Sequence, residues 1–242
     1  MASDGEEREG DVAAIVAAAG LGLRMGGPIR KPFLELAGEP LLFRVCRRLA
    51  SVPGVFEIIV ALHPDDLVFF QDHMEEKARE CGITLSVAGG TSRAESVWNA
   101  LQVVSARAEI TAVHDAVRPF ATTAICQEVI AAARRRGAAV PVVPLGDTPK
   151  RVEGDKVLET PRRLGMMRAQ TPQAFRSDLL IEAYEYAIRT GGLSESVTDD
   201  AQLVEKMGAE VAAVYGDELN LKITSAADLR LAQVLLAAGM AE

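Results

Sequence analysis

The sequence predicts an α/β domain with a mostly parallel central sheet covered on both faces. Apolar runs of strand length alternate with segments of helical period along most of the chain. That repeated βα order calls for parallel strands with helices packed above and below. The segments richest in glycine and isolated charge fall just after such runs, where ligands bind in sheets of this kind.

Val12–Ala17 reads as the first strand. Pro40–Ala50 reads as a helix, with Leu41, Leu42, Val45, Cys46 and Leu49 on one face. Glu57–Leu62 is the second strand, Asp65–Cys81 a helix and Ile83–Val87 the third strand. Ser92 and Glu95 have capping-box spacing and open a helix running to about Val104. Ile110–His114 is the fourth strand, followed by a helix over Thr122–Arg136 and a fifth strand, Ala138–Val143.

The rhythm then breaks. Leu145–Met167 holds the turn formers Gly146-Asp147 and Gly154-Asp155 between short alternating pieces, which predicts a hairpin or arm projecting from the sheet. Helices return at Ser177–Arg189 and Thr198–Lys206. Val211–Tyr215 and Leu219–Ile223 read as short strands, and Ser225 and Asp228 open a last helix in capping-box style. No internal repeat or linker divides 12–242, which reads as one domain.

With 242 residues, 49% of them hydrophobic, the chain can bury a sizeable core. Its net charge is −8, and residues 1–11 hold five acids against Arg8, which reads as a disordered acidic leader. This balance argues against general binding to nucleic acid or an anionic membrane. No apolar run reaches the ~18 residues of a membrane span, and the acidic N-terminus is without the basic and then apolar pattern of a signal peptide. Three cysteines without C-x-x-C spacing suggest reduced, buried thiols and a cytoplasmic setting.

Ala18-Ala19-Gly20-Leu21-Gly22-Leu23-Arg24-Met25 follows the first strand, with Lys31 seven residues beyond Arg24. Met25 stands where a dinucleotide fingerprint needs glycine, and Pro28-Ile29 follow Gly27 where a P-loop needs Lys-Ser/Thr. What remains is a small-residue turn whose backbone N–H groups suit a phosphate, with a forked cation and a mobile one nearby. Gly89-Gly90 precede a helix N-terminus carrying Ser96 on its first turn, which suits close backbone approach to a base or ribose. In this segment Arg93 reads as a solvated residue.

His114-Asp115-Ala116-Val117-Arg118-Pro119 ends the fourth strand. His114 reads as a satisfied core or rim histidine. Asp115 suits either a cap or a carboxylate for Mg²⁺, which often takes only one or two protein ligands. Arg118 suits a second anionic substrate, Arg162-Arg163 suit either a second phosphate or a charged arm surface, and Lys222 reads as a solvated lysine that spacing alone does not select. Thr198-Asp199-Asp200 reads as a helix N-cap with no chemistry assigned.

In order along residues 12–238, these motifs resemble the 2-C-methyl-D-erythritol 4-phosphate cytidylyltransferase family of isoprenoid-precursor synthesis. Asp147-Thr148, Thr171-Pro172-Gln173, Thr198-Asp199-Asp200-Ala201 and Lys222-Ile223-Thr224 complete the set. The resemblance implies a Rossmann-like three-layer fold of the nucleotidyltransferase type. It also implies transfer of a cytidylyl group from CTP to the alcohol phosphate, with Mg²⁺ as cofactor. It casts Arg24 and Lys31 as the pair stabilising the transition state, and Arg163 and Lys222 as residues positioning the alcohol phosphate. The nucleotide would lie against Ala18, Ala19, Gly20, Gly22, Gly90, Ser96 and Ala116. Asp115 would lie by the metal, and Arg118, Thr148 and Thr171 would contribute to the alcohol-phosphate pocket. The resemblance further implies a homodimer whose arm, about 145–167, crosses to the partner.

The chain departs from the family pattern at Arg30-Lys31-Pro32. Pro32 predicts an extended Lys31, with Arg30 as a substitute cation. Arg162 is a near rival of Arg163. The alternatives to this activity are a pentitol phosphate cytidylyltransferase, such as one for ribitol phosphate, and a non-catalytic nucleotide-binding protein. An enzyme of sugar 1-phosphates is disfavoured, since such relatives tend to carry Gly-Gly in place of Ala18-Ala19.

Overall fold

The computed structural model describes residues 9–20, 30–194 and 196–240. Most of the expected leader, residues 1–8, and the loop residues Gly22 and Arg24 therefore lie outside the described residues. The chain opens with β1 (Val12–Ala18). A 3₁₀ turn at Lys31–Phe33 precedes the short hairpin of β2 (Glu35–Leu36) and β3 (Glu39–Pro40). Then come α1 (Leu41–Ala50), β4 (Val55–Leu62), α2 (Pro64–Glu80), β5 (Leu85–Ala88), α3 (Arg93–Leu101) and β6 (Ile110–Asp115). The next elements are α4 (Thr123–Arg136), β7 (Ala138–Pro144), β8 (Arg151–Glu153), β9 (Lys156–Glu159), β10 (Met167–Ala169) and β11 (Gln173–Arg176). The series ends with α5 (Ser177–Arg189), α6 (Ala201–Lys206), β12 (Ala212–Tyr215) and α7 (Ala226–Ala237).

One eight-stranded sheet organises the chain. β1 pairs in parallel with β4 on one side and β6 on the other, and β5 adds in parallel beyond β4. Beyond β6, β11 runs antiparallel and links it to β7. β10 also pairs antiparallel with β7, and β12 runs parallel along it. The expected mostly parallel sheet is thus present, with the short antiparallel strands β10 and β11 added around β7.

The three layers follow from the pleat of β1. Successive strand residues face opposite sides of a sheet. Val12, Ala14, Val16 and Ala18 join a core with α1, α2 and α4, while Ile15 joins a second core with α3, α5 and α6. Full burial of a Val or Ile side chain contributes roughly 1.5–3 kcal/mol, so a one-residue slip of β1 would be costly. In α1 the apolar face read from sequence is the buried one. A smaller core seats α7 against Leu36 and Leu41.

Several local readings need correction. Leu219–Ile223 is irregular rather than a strand, because its polar groups turn inward: Asn220 Nδ2 donates to Thr171 O and Ile223 N to Val117 O. Gln173–Arg176, which overlaps the Thr171-Pro172-Gln173 motif, is the strand β11. Ser92 caps α3 by accepting from Glu95 N, but Glu95 turns its carboxylate to Thr91 instead of closing the box. Asp199, not Asp200, accepts from Gln202 N ahead of α6. The arm is present as the hairpin of β8 and β9, whose residues are all exposed. Among the described residues no helix is long and apolar enough to cross a membrane.

Candidate active site

The chain leaves β1 for β4 and β5 on one side, then returns to β6 on the other. The connections therefore diverge at the carboxyl ends of β1 and β6, the place where open α/β sheets form a ligand crevice. A cleft of about 600 Å³ lies there. Its walls include Ala18 at the end of β1 with Ala19 and Gly20 after it, Gly90 and Ser96 around the start of α3, and Asp115 at the end of β6. Lys31 and Lys222 reach it from outside the sheet.

The glycine pair is required by close packing. A Cβ on Gly89 would stand 2.4 Å from Ala19 Cβ, and one on Gly90 would stand 2.2 Å from Glu95 Cγ. Ser96 fixes the turn: its Oγ accepts from Gly90 N at 3.0 Å and donates to Ser92 O at 2.8 Å. Two backbone turns, after β1 and before α3, are thereby held against each other along one wall.

Asp115 is buried and surrounded by cations. Its Oδ1 lies 3.0 Å from Arg93 Nε, and its Oδ2 lies 2.8 Å from Lys222 Nζ and 3.5 Å from Arg118 Nε. Burial alone would raise its pKa, but the charges of Arg93, Lys222 and Arg118 together carry it well below the usual carboxylate range. Its backbone N–H donates to Thr171 Oγ1 at 3.1 Å. Oγ1 also lies 2.9 Å from His114 Nδ1, while His114 Nε2 lies 3.0 Å from Arg118 O. This pattern assigns a neutral His114 with the proton on Nε2, because the carbonyl can only accept and Thr171 then donates to Nδ1. Burial lowers His114 to about 4, outweighing the opposing pull of Asp115. His114 is thus the satisfied core histidine expected.

At the departure from the family pattern, Lys31 is not extended. It begins a 3₁₀ turn with Pro32 as its second residue, closed by bonds from Phe33 N to Arg30 O and Leu34 N to Lys31 O. This turn aims Lys31 into the cleft and its Nζ at Thr224 O, 3.2 Å away. Arg30 instead pairs with Asp65 and Asp66 at the start of α2, at 2.9 and 3.0 Å. Arg30 is therefore engaged elsewhere and is not a substitute for Lys31.

Of the residues singled out in the sequence, Ala18, Ala19, Gly20, Lys31, Gly90, Ser96, Asp115 and Lys222 line the cleft. Ala116, Arg118 and Thr171 lie behind its wall: Ala116 N bonds Ala17 O, and Arg118 Nη1 bonds Asn220 O. Thr148 and Arg163 lie on the arm side, with Arg163 Nη1 donating to Gly146 O, and neither lines the cleft. Arg93, expected to be solvated, instead lines the cleft and bridges two buried carboxylates, Asp115 and Asp200. Asp200, expected to cap a helix, is fully buried. One local signal points to Arg93: a cation in the first turn of a helix opposes the dipole, so something else must hold it there.

A family model described as 2-C-methyl-D-erythritol 4-phosphate cytidylyltransferase matches residues 12–238. The chain belongs to that cytidylyltransferase family. The chain is 43% identical to the 2-C-methyl-D-erythritol 4-phosphate cytidylyltransferase of Symbiobacterium thermophilum, over 93% of this chain and 92% of that one. With the protein of the same name from Solibacter usitatus it shares 40% identity, over 93% and 95% of the two chains. The crystal structure of the cytidylyltransferase from Thermus thermophilus superposes with a TM-score of 0.77 at 36% identity, covering 94% of this chain and 99% of that one. That crystal structure supports the nucleotidyltransferase type of fold.

Among the described residues no cluster of three or more His, Cys, Asp or Glu side chains could hold a metal ion. Asp115 is the one carboxylate among the described residues lining the cleft. A single carboxylate suits a magnesium ion whose other ligands are phosphate oxygens and water, with that ion sharing an oxygen that Arg93 or Lys222 also contacts.

Proposed function

We propose that this protein transfers the cytidylyl group of CTP to 2-C-methyl-D-erythritol 4-phosphate, releasing pyrophosphate. One observation carries the reading beyond family membership. Among the described residues Lys31, Arg93 and Lys222 face the cleft against the single carboxylate of Asp115, so a locally cationic crevice sits at the switch point of a chain whose net charge is −8. Such a crevice suits two anionic substrates.

In this reading a phosphate oxygen of the alcohol phosphate attacks the α-phosphorus of CTP. The bond from that phosphorus to the bridging oxygen breaks, and pyrophosphate leaves with the electron pair. The attacking group is already an anion, so no protein nucleophile or general base is needed. The protein supplies position and charge neutralisation. Lys31 neutralises charge building on the triphosphate, together with Arg24, while the turns at Ala18–Gly20 and Gly90 receive the nucleotide backbone to backbone. Lys222 meets the alcohol phosphate. Asp115 would hold Mg²⁺ through one oxygen, and that ion would offset charge on the triphosphate. Thr148 and Arg163 would serve the site of a second copy of this chain, reached by the arm.

The test is pyrophosphate release with CTP, UTP, ATP or GTP, each paired with methylerythritol phosphate or ribitol phosphate. Turnover is expected for CTP with methylerythritol phosphate. Turnover with ribitol phosphate alone would move the protein to the pentitol enzymes, and none with any pair would refute the reading.

A further inference from the structure

The Thr198–Asp200 motif plays no part in the reaction as described, yet Asp200 is the most enclosed charge near the cleft. Its side chain is 0% exposed. Oδ1 accepts from Tyr184 OH at 2.6 Å, Oδ2 accepts from Arg93 Nη1 at 2.8 Å, and its backbone N–H donates to Gln173 Oε1 at 3.2 Å. Tyr184 is itself buried and stacks on Trp98. Asp200 is therefore fixed from several directions.

The consequence falls on Arg93. A guanidinium and a carboxylate prefer two parallel hydrogen bonds. Arg93 gives Asp115 only one, from Nε to Oδ1, because Asp200 holds Nη1. Arg93 Nη2, which shares an edge of the guanidinium with Nε, is buried without a hydrogen-bond partner. Asp115 Oδ2 is left to Lys222, at 2.8 Å.

We propose that Asp200 is a positioning residue for Lys222: by dividing the Arg93 guanidinium it keeps one oxygen of Asp115 available to the lysine. Its role in turnover rests on the function proposed above; its role in placing the lysine does not. Neutralising Asp200 lets Arg93 close on Asp115 through both Nε and Nη2. Lys222 is then displaced from Oδ2, and the alcohol phosphate loses its placed cation.

The test uses Asp200→Asn, which keeps size but removes the charge that holds Arg93 Nη1, and Asp200→Ser, which withdraws the carboxylate altogether and serves where the first variant does not fold. Crystal structures of the variants are expected to show a two-bond Arg93–Asp115 pair with Lys222 withdrawn. An Lys222–Asp115 contact kept at its present length overturns the proposal, whatever the turnover. In pyrophosphate release, Asp200→Asn is expected to lower kcat/KM for the alcohol phosphate about tenfold while leaving CTP affinity unchanged, and to cost less than about twofold in a Lys222→Ala background. Equal losses in both backgrounds would reduce Asp200 to a purely structural part. Failure of the parent protein to turn over would refute the proposed function, and the crystallographic distance would still decide this inference.

Discussion

Asp115 ends a strand flanked on both sides, with its amide, its carboxylate and the preceding histidine all engaged. Val152 and Val157, on the arm, pair only with each other across a two-stranded hairpin, and they are 55% and 60% exposed. Leu164, also within the arm segment, is 77% exposed. A lone two-stranded hairpin is marginal in water. The cleft residues are thus placed by their own chain before any substrate arrives. In the proposed reading, Thr148 and Arg163 take their working position from the second copy that the arm packs against. The site proposed above would combine a preorganised half with a half that depends on assembly.

The largest effect should come from the preorganised half. Lys31→Ala is expected to lower kcat on the order of 10²–10³-fold with CTP binding little changed, since its contact strengthens as charge builds in the transition state. Steady-state kinetics alongside a direct CTP titration separates the two quantities. A near-normal kcat would remove Lys31 from that role.

The assembled half can be broken by mixing. If Arg163 serves a second copy, Lys31→Ala and Arg163→Ala fall together in one site of a mixed dimer and leave the other site intact. Each variant alone should be nearly inactive. After dissociation and reassembly, an equal mixture should regain about a quarter of normal turnover, because half the dimers are mixed and each carries one intact site. No recovery, with mixed dimers demonstrated by mass, would place both residues of one chain in the same site.

Acid should loosen the cleft side before the arm. His114 is held at about 4, below its ordinary value of 6.5, because burial disfavours its charged form. A group depressed in this way stabilises the fold fully above about pH 6.5, and the stabilisation is lost as pH falls toward 4. The swing is about 3 kcal/mol. Asp115, also depressed, changes little in this window, because a carboxyl in the unfolded chain takes up its proton only below about pH 4. Denaturant unfolding of the parent and of His114→Gln between pH 7.5 and 4.5 reads the difference. The variant should show a flatter decline, and equal slopes would show that His114 is not what acid reaches first.

The same contrast explains what could be read in advance. β1, β4 and β6 are nearly continuous apolar runs because both faces are buried, and a run of that kind is legible without knowing its neighbours. The cleft residues at their ends were legible for the same reason, since strand ends mark the crevice. The Leu219–Ile223 segment shows strand-like alternation, yet its backbone serves Arg118, Val117 and Gln170 rather than a ladder. The two-residue strands β2 and β3 are too short to carry a period. Arg93 and Asp200 form an ion pair across 107 residues, and only topology brings them together. Pro32 carries a sound local expectation for Lys31 that the bonds of the 3₁₀ turn outweigh.

The smallest effect belongs to the arm's own electrostatics. Arg151 Nε lies 2.7 Å from Glu159 Oε1 where the two strands of the hairpin meet, with the side chains 61% and 53% exposed. A pair so open to water gains little, because solvent screens the attraction and ordering two long side chains offsets it. Arg151→Ala should therefore change unfolding free energy by less than about 0.5 kcal/mol, and the difference should vanish in high salt. The measurement is sensitive to what covers the arm. Water cannot screen a pair enclosed by a second copy, so a salt-insensitive loss above about 1 kcal/mol would mean that the partner reaches the base of the hairpin. No measurable change, with the Arg163 mixing experiment positive, would confine the contact to the apolar residues Val152, Val157 and Leu164. The arm would then be held to its partner by buried carbon, as the sheet holds the cleft, and not by its charges.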